Sequence, residues 1–279
     1  VSPLKKTLHG RLLINDSKKA YTGKAGLAHL KRTVLASLLA AHSQEELPRN
    51  VHHFLRTLCP RCVLRLDDYP WYADLERMPL DSQQDIPIAA GLLKRNLEEN
   101  GMAIRLLQAR CLDVQYYNQR VEAVKNKSRV LFTELCSLID SVFQFASSKN
   151  QAVHFLIDRQ GGRLNYRPEL QRMFPEMDLT VLKAEKNLSS YELKSQKGTM
   201  RLHFAAGADE KYLPVSLASM TSKLIRELLI ECLNVYYSAL CGGLKPTAGY
   251  WQDGQRFIND LSCRLPASAL PKNLLIRSR

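Results

Sequence analysis

Two acidic sites in the second half of the chain stand where carboxylates can do chemistry. Asp158 directly follows the apolar run at 152–157, which predicts a strand. Asp209 and Glu210 come shortly after a second predicted strand at 200–205. Because open α/β sheets place their sites at the carboxyl ends of strands, Asp158 lies where a functional residue is expected. For Asp158 taken alone, an aspartate that caps a turn is the ordinary alternative.

A long helix is predicted at 214–240, directly after these acids. Its first turns are rich in small side chains, which permit close approach of a backbone or a sheet: Ser216, Ala218, Ser219 and Ser222. Lys223 and Arg226 then project from a neighbouring face of the helix. The structural alternative is a tightly packed helix with solvated cations.

The elements that must position these residues alternate between helix and strand, which predicts an α/β fold. Helices are expected at 25–42, 127–147, 165–174 and 253–261, with Ser128 as a candidate N-cap. Strands are expected at 11–14, 105–114, 179–184, 189–193 and 200–205, the last three pairing antiparallel.

The stretch at 43–90 differs in character because its prolines block long helices. We interpret it as a partly irregular insertion, which leaves 1–42 and 91–279 as the main domain. It contains Cys59 and Cys62 in a Cys-x-x-Cys spacing, with His52 and His53 upstream. A zinc site is a minor alternative here, since no second pair of ligands follows at an obvious spacing.

The surplus of positive charge is compatible with a polyanionic partner such as nucleic acid, and equally with a basic surface that serves solubility. Forty Lys and Arg face 27 Asp and Glu, a net charge of +13, and neutralising phosphates would release counterions. No apolar run reaches the roughly 18 residues that cross a bilayer. The odd, scattered set of seven cysteines indicates a reducing cytoplasm, and we expect a monomer. The chain opens on Val1 rather than methionine, which suggests a fragment or a processed form.

Several landmarks, in order along the chain, resemble type 2 ribonucleases H (ribonuclease HII). That family carries an Asp and, about ten residues later, the Ser of an Ala-Ser-x-x-Ala-Lys-x-x-Arg-Asp helix. Here Asp209 precedes Ser219 by ten residues, and Lys223 and Arg226 follow that serine by four and seven. Two positions depart from the pattern: Ser222 for the usual Ala and Glu227 for the usual Asp.

Three further landmarks match the same family. Ile157-Asp158 resembles its strand ending in an acid, although the following glycine arrives late, at Gly161. Gly249-Tyr250 resembles a Gly-Tyr pair before the final helix, and residues 16–19 match an Asp-Ser-Lys-Lys loop. The resemblance implies a ribonuclease H-like fold, a central mixed sheet flanked by helices, with the inserted segment and C-terminal helices added.

The resemblance also implies a function, namely metal-dependent endonucleolytic hydrolysis of the RNA strand of RNA–DNA hybrids or ribonucleotide-containing duplexes. Mg²⁺ or Mn²⁺ would be held by carboxylates, with two ions about 4 Å apart. By this analogy Asp158 and Asp209 are the catalytic metal ligands, and Glu210 is a rival for the second place. The implied substrate contacts are Ser17, Lys18, Lys19, Tyr250, Lys223 and Arg226, the last two equally suited to a structural role.

Half of the family's metal site is not found. The family carries a consecutive Asp-Glu on a strand before the Asp-Ser-Lys-Lys loop, whereas the fifteen residues before Asp16 contain no acid. We therefore expect a truncated chain. Two alternatives stay open: a non-catalytic RNA- or hybrid-binding protein that retains the fold, and another nuclease or integrase of the same broad fold acting on DNA.

Overall fold

The computed structural model describes residues 11–21, 26–41, 46–80, 85–147 and 153–278. The predicted basic lead-in at 1–10 lies outside them. The chain divides into two compact units. The first combines Val1–Gly26 with Asn126–Met220, and the second combines Leu27–Lys125 with Thr221–Arg279. The predicted insertion at 43–90 lies in the second unit.

The helices of the described chain are, in order, α1 (Ser17–Ala20), α2 (Gly26–Ala41), α3 (Val51–Leu58), α4 (Pro60–Leu66), α5 (Ile86–Glu99), α6 (Val114–Val124), α7 (Lys127–Ser147), α8 (Arg167–Met173), α9 (Ala208–Lys211), α10 (Leu213–Leu240), α11 (Trp251–Ser262) and α12 (Lys272–Leu275). Short 3-10 helices lie at Pro70–Tyr72 and Ala267–Ala269. The predicted helices at 25–42, 127–147, 165–174, 214–240 and 253–261 are confirmed.

The first unit contains a four-stranded mixed sheet. Its strands are β1 (Val153–Asp158), β2 (Asp178–Ala184), β3 (Leu188–Ser195) and β4 (Gly198–Ala205), in the order β1-β4-β3-β2. The pairs β2–β3 and β3–β4 are antiparallel, as expected, and β1 lies parallel to β4. The fold is therefore mixed α/β, with helices flanking the sheet.

One face of this sheet forms the core of the first unit. Apolar side chains from α7, α8 and the strands pack there because alternate residues of each strand share a face. The ring of Tyr166 stacks on Phe204 with centroids 3.7 Å apart, and the Tyr166 N–H donates to the Tyr191 hydroxyl at 2.9 Å. These contacts also hold the loop after Asp158, since the Gln160 N–H donates to the Tyr166 hydroxyl.

The stretch that the sequence suggested to be a partly irregular insertion contains several helices. Three of its five prolines lie in the first turns of helices, where the missing N–H has no intrahelical role. Pro60 begins α4, Pro70 begins a 3-10 helix, and Pro87 lies in the first turn of α5. The described part of 46–90 alternates these helices with turns and coil at 46–50, 67–69 and 73–80, so the prediction of a partly irregular stretch is confirmed.

A buried aromatic cluster forms part of the second unit's core. Trp71 packs against Tyr237 with ring centroids 5.8 Å apart, and Tyr237 packs against Phe257 at 5.9 Å. Beside it, the buried Asp113 carboxylate caps α6, accepting the Tyr116 N–H and an ion pair from Arg65 at 2.6 Å. A buried carboxylate is tolerated because these partners satisfy it.

Three local predictions are corrected. Residues 11–14 contain one bridging residue, Leu13, rather than a strand. Residues 105–114 form no strand. The Ala109 N–H donates to the carbonyl oxygen of Leu58, at the end of α3, and the Cys111 N–H donates to the Cys62 sulfur of α4. These backbone amides therefore bond to helices and not to a neighbouring strand. Ser128 is not the cap of α7, because Asn126 accepts the Arg129 N–H there.

Candidate active site

Asp158 and Asp209 lie at the carboxyl ends of two neighbouring parallel strands. Asp158 is the last residue of β1 and aligns with Ala205, the last residue of β4. Its Oδ1 accepts the N–H of Ala208 at 3.0 Å, and Asp209 is the next residue. Gly207 makes this connection possible, since its φ of 61° lets the chain turn from β4 into α9.

A third carboxylate joins them. Burial raises the pKa of Asp209 first, and the negative charges of Asp16, Asp158 and Glu210 raise it further. Asp16 is itself buried and caps α1, because its Oδ1 accepts the Lys18 N–H at 3.0 Å. Asp16 was missed as a site residue, although it is the first residue of the Asp-Ser-Lys-Lys loop and could have been found there.

The same loop is fixed to α10 by two serines distant in sequence. The Ser219 hydroxyl donates to the Ser17 hydroxyl at 3.0 Å, which joins two of the motifs behind the resemblance. Ser17 is buried and its hydroxyl accepts this bond, while its assignment as a substrate contact stays a prediction. A second bond acts nearby, since the Ser216 hydroxyl donates to the carbonyl oxygen of Asp209 at 2.6 Å.

The loop's two lysines lie at the surface. Lys18 is exposed. Lys19 forms an ion pair with Glu210, with 3.0 Å between Nζ and Oε1, and the hydrogen bond from this pair raises the pKa of Lys19. Glu210, the predicted rival metal ligand, is therefore engaged by a lysine, although both side chains remain about half exposed.

The described carboxylates do not by themselves fit the cation that the resemblance implies. Mg²⁺ and Mn²⁺ require several oxygen ligands. One oxygen of Asp158 is already used by the Ala208 N–H, and one of Asp16 by the Lys18 N–H. Among the residues with described positions, no three acidic, histidine or cysteine side chains are grouped to hold a metal ion.

The other predicted substrate residues gather in the second unit around Tyr250. The Lys223 ammonium donates to the Tyr250 hydroxyl at 3.1 Å, and the Arg226 guanidinium lies 4.3 Å from the centre of its ring. Glu227 forms ion pairs with both cations: its Oε1 lies 2.8 Å from Lys223 Nζ and 2.7 Å from Arg226 Nη1. Lys223 and Arg226 thus brace the tyrosine, whose side chain remains largely exposed at 58%. The hydrogen bond from Lys223 lowers the pKa of Tyr250.

The turn before Tyr250 is held by a network of hydrogen bonds. The Asp253 carboxylate accepts from the Thr247 hydroxyl at 2.7 Å and from the Ala248 N–H at 2.6 Å, and it pairs with Arg256. Gly249 has a φ of 68°, and a Cβ there would lie 2.6 Å from the Ile230 Cδ1. The turn therefore favours glycine for its backbone conformation, and a Cβ would in addition require the end of the Ile230 side chain to move.

Cys59 and Cys62 of the Cys-x-x-Cys motif are buried and are not in disulfides. A hydrogen bond between the thiols raises the pKa of Cys59 and lowers that of Cys62, whose sulfur also accepts the Cys111 N–H at 3.1 Å. His52 faces Glu76 at 3.6 Å. The zinc alternative gains no support, since the described side chains offer no set of three metal ligands here.

No protein-family profile, curated protein or solved structure matches this chain. Across the described ranges, none of the helices combines the length and the apolar character needed to span a bilayer.

Proposed function

We propose that this chain belongs to an endonuclease that hydrolyses the RNA strand of RNA–DNA hybrids, as its resemblance to type 2 ribonucleases H implies. The observation that carries the proposal is the meeting of Asp158 and Asp209. Asp158 is the last residue of β1, and Asp209 follows the end of the adjacent parallel strand β4. The Asp158 carboxylate accepts the N–H of Ala208, the residue before Asp209. Sites of α/β sheets lie at this edge.

The electrostatics of the cluster support a cationic ligand. Asp209 is partly desolvated and has carboxylates as neighbours, and like charges in one site favour either protonation or a bound cation. The resemblance implies Mg²⁺ or Mn²⁺, with the family's Asp-Glu pair as the other half of the ligand set. Asp158 and Asp209 would then supply two of the carboxylates of such a site.

The proposed substrate is a polyanion with a 2′-hydroxyl, the group that marks RNA. The net charge of +13 favours nucleic acid, and Lys18 and Lys19 project from the loop that begins at Asp16. We separately assign the exposed ring of Tyr250 to contact with a sugar or base, since base–aromatic stacking contributes about 1–3 kcal/mol.

The test uses the natural full-length protein and a DNA duplex with one embedded ribonucleotide, in the presence of Mn²⁺. Cleavage at the ribonucleotide is expected, with an all-DNA duplex of the same sequence left intact. Equal cleavage of both duplexes would overturn the ribonuclease assignment in favour of a DNA nuclease of similar architecture.

One observation favours a non-catalytic alternative, a protein that binds RNA or hybrids and has lost its chemistry. The described side chains contain no group of three metal ligands. This alternative predicts that the full-length protein binds the ribonucleotide-containing duplex and leaves it uncut in Mn²⁺. It also predicts that binding is unchanged when Asp158 is replaced by Asn.

A further inference from the structure

Two histidines face each other on neighbouring parallel strands of the first unit. His154 lies on β1 opposite Arg201 of β4, and His203 lies two residues further along β4 on the same face. The distance from Nδ1 of His154 to Nε2 of His203 is 3.3 Å, and the ring planes differ by only 10°. These residues lie on the sheet face opposite the apolar core, where His154 is exposed and His203 half-buried.

A serine orients one of the rings. Nδ1 of His203 lies 3.0 Å from the Ser190 hydroxyl of β3. If that oxygen accepts the Nδ1–H, Nε2 carries no proton and presents its lone pair toward His154. Such a hydrogen bond to the second ring nitrogen is the usual device that fixes the tautomer of a metal-binding histidine.

The charges around the pair suit a neutral imidazole. Burial lowers the pKa of His203, and the nearby His154 and Arg201 lower it further. Arg201 is itself balanced by Glu192 of β3, with 2.7 Å between Nε and Oε2. A divalent ion at the two nitrogens would therefore lie beside an arginine whose charge is already paired.

The spacing matches a tetrahedral metal. Zn²⁺ binds imidazole nitrogen at about 2.0–2.1 Å, and a tetrahedral angle then separates two ligating nitrogens by roughly 3.3 Å. We propose that His154 and His203 form a two-nitrogen site for a divalent transition metal of the Zn²⁺ class, with solvent in the remaining positions. Imidazole is a preferred ligand for such metals, whereas Mg²⁺ prefers oxygen. The site is independent of the proposed nuclease function.

The test is a Zn²⁺ titration of the protein with isotope-labelled histidine, followed by ¹H–¹³C spectra of the rings. We expect the His154 and His203 signals to shift together and to saturate at one equivalent for this site. The signal of the exposed His53 should stay in place. Because the readout is specific to each ring, zinc taken up elsewhere does not count as support.

Three variants complete the experiment. His154→Gln should weaken Zn²⁺ binding at the remaining His203 ring at least tenfold, and Ser190→Ala should weaken it by about tenfold through loss of ring orientation. His53→Gln is the matched control and should leave the affinity unchanged. Ring signals of the wild-type protein that do not respond to Zn²⁺, or equal affinity of His203 in His154→Gln, would overturn the proposal.

Discussion

The carboxylate cluster of the first unit and the Tyr250 cluster of the second handle charge in opposite ways. In the first, Asp16 and Asp158 act on a partly buried Asp209 and raise its pKa. In the second, Lys223 and Arg226 share Glu227, and the three together support an exposed ring. One cluster concentrates like charge, and the other compensates its charge internally.

This difference separates two kinds of functional residue. The repulsion between like charges that the fold holds together lowers stability, and a bound cation can offset it. The carboxylates are therefore suited to bind a cation. Compensated charges gain little from an external ion, so Lys223 and Arg226 are suited to position Tyr250. The sequence motif contains residues of both kinds and does not distinguish them.

The largest effect should come from breaking the carboxylate cluster. In the full-length protein, Asp158→Asn or Asp209→Asn should reduce ribonucleotide cleavage at least about a hundredfold, equivalent to about 2.7 kcal/mol. Asp178→Asn removes the same charge at an exposed position of β2 and serves as the control. Activity within twofold of wild type in either active-site variant would remove that residue from the site.

A side chain at Gly249 should destabilise the turn that precedes Tyr250. Gly249→Ala forces a β-carbon against Ile230 at a positive φ, and we expect a loss of about 2 kcal/mol in the free energy of unfolding. Gly242→Ala is the control, because a Cβ there meets nothing within 4 Å. Urea denaturation of both variants provides the measurement, and equal stability would show that the turn tolerates a side chain.

The ring of Tyr250 should matter more than its hydroxyl. Tyr250→Ala should weaken binding of a hybrid duplex about tenfold, since an aromatic–base or aromatic–sugar contact is lost. Tyr250→Phe keeps the ring over Arg226 and loses the hydrogen bond from Lys223, so it should bind within about twofold of wild type. Fluorescence anisotropy at fixed salt measures both, and equal loss in the two variants would assign the effect to the hydroxyl.

Asp253 should stabilise its turn in a pH-dependent way. Hydrogen bonding to Arg256, Thr247 and Ala248 lowers its pKa from 3.8 to about 2. Its stabilisation is therefore complete above pH 3.8 and is lost as the pH falls through about 2. Asp253→Asn should lower the free energy of unfolding at pH 7 by about 1 kcal/mol, with solvent screening limiting the effect. A difference that persists undiminished at pH 2 would contradict this reasoning.

The pH dependence of stability due to Asp209 should have the opposite sign to that due to Asp253. Because the pKa of Asp209 is raised in the folded protein, the folded state binds the proton more tightly, and stability falls as the pH rises through the interval above 3.8. At pH 7 the charged side chain therefore costs stability. Asp209→Asn should raise the free energy of unfolding there by less than about 1 kcal/mol, measured in urea. A destabilised variant would indicate that the charge is well compensated.

The spacing of apolar residues predicted the long helices of this fold but did not predict which elements contact each other. The apolar spacing predicted α2, α7 and α10, and the apolar run before Asp158 predicted β1. Such patterns report which face is buried, but they do not report pairing. The strand predicted at 105–114 failed for this reason: its apolar residues looked like a strand, yet Ala109 hydrogen-bonds to the end of α3.

The candidate site was predictable in part. Asp158 and Asp209 could be found because each follows a strand, and the parallel pairing of β1 and β4 brings them together. Asp16 lies far away in sequence, and only its place at the start of the Asp-Ser-Lys-Lys loop could have pointed to it. Its electrostatic contact with Asp209 depends on the folded chain.

The measurement that tests the central claim most directly is the pKa of Asp209, read from its side-chain carboxyl carbon by NMR in the wild type and in Asp158→Asn. If the two carboxylates form one site, the wild-type pKa lies above 3.8 and falls when the charge of Asp158 is removed. A wild-type pKa at its ordinary value, unchanged in the variant, would contradict a shared carboxylate site.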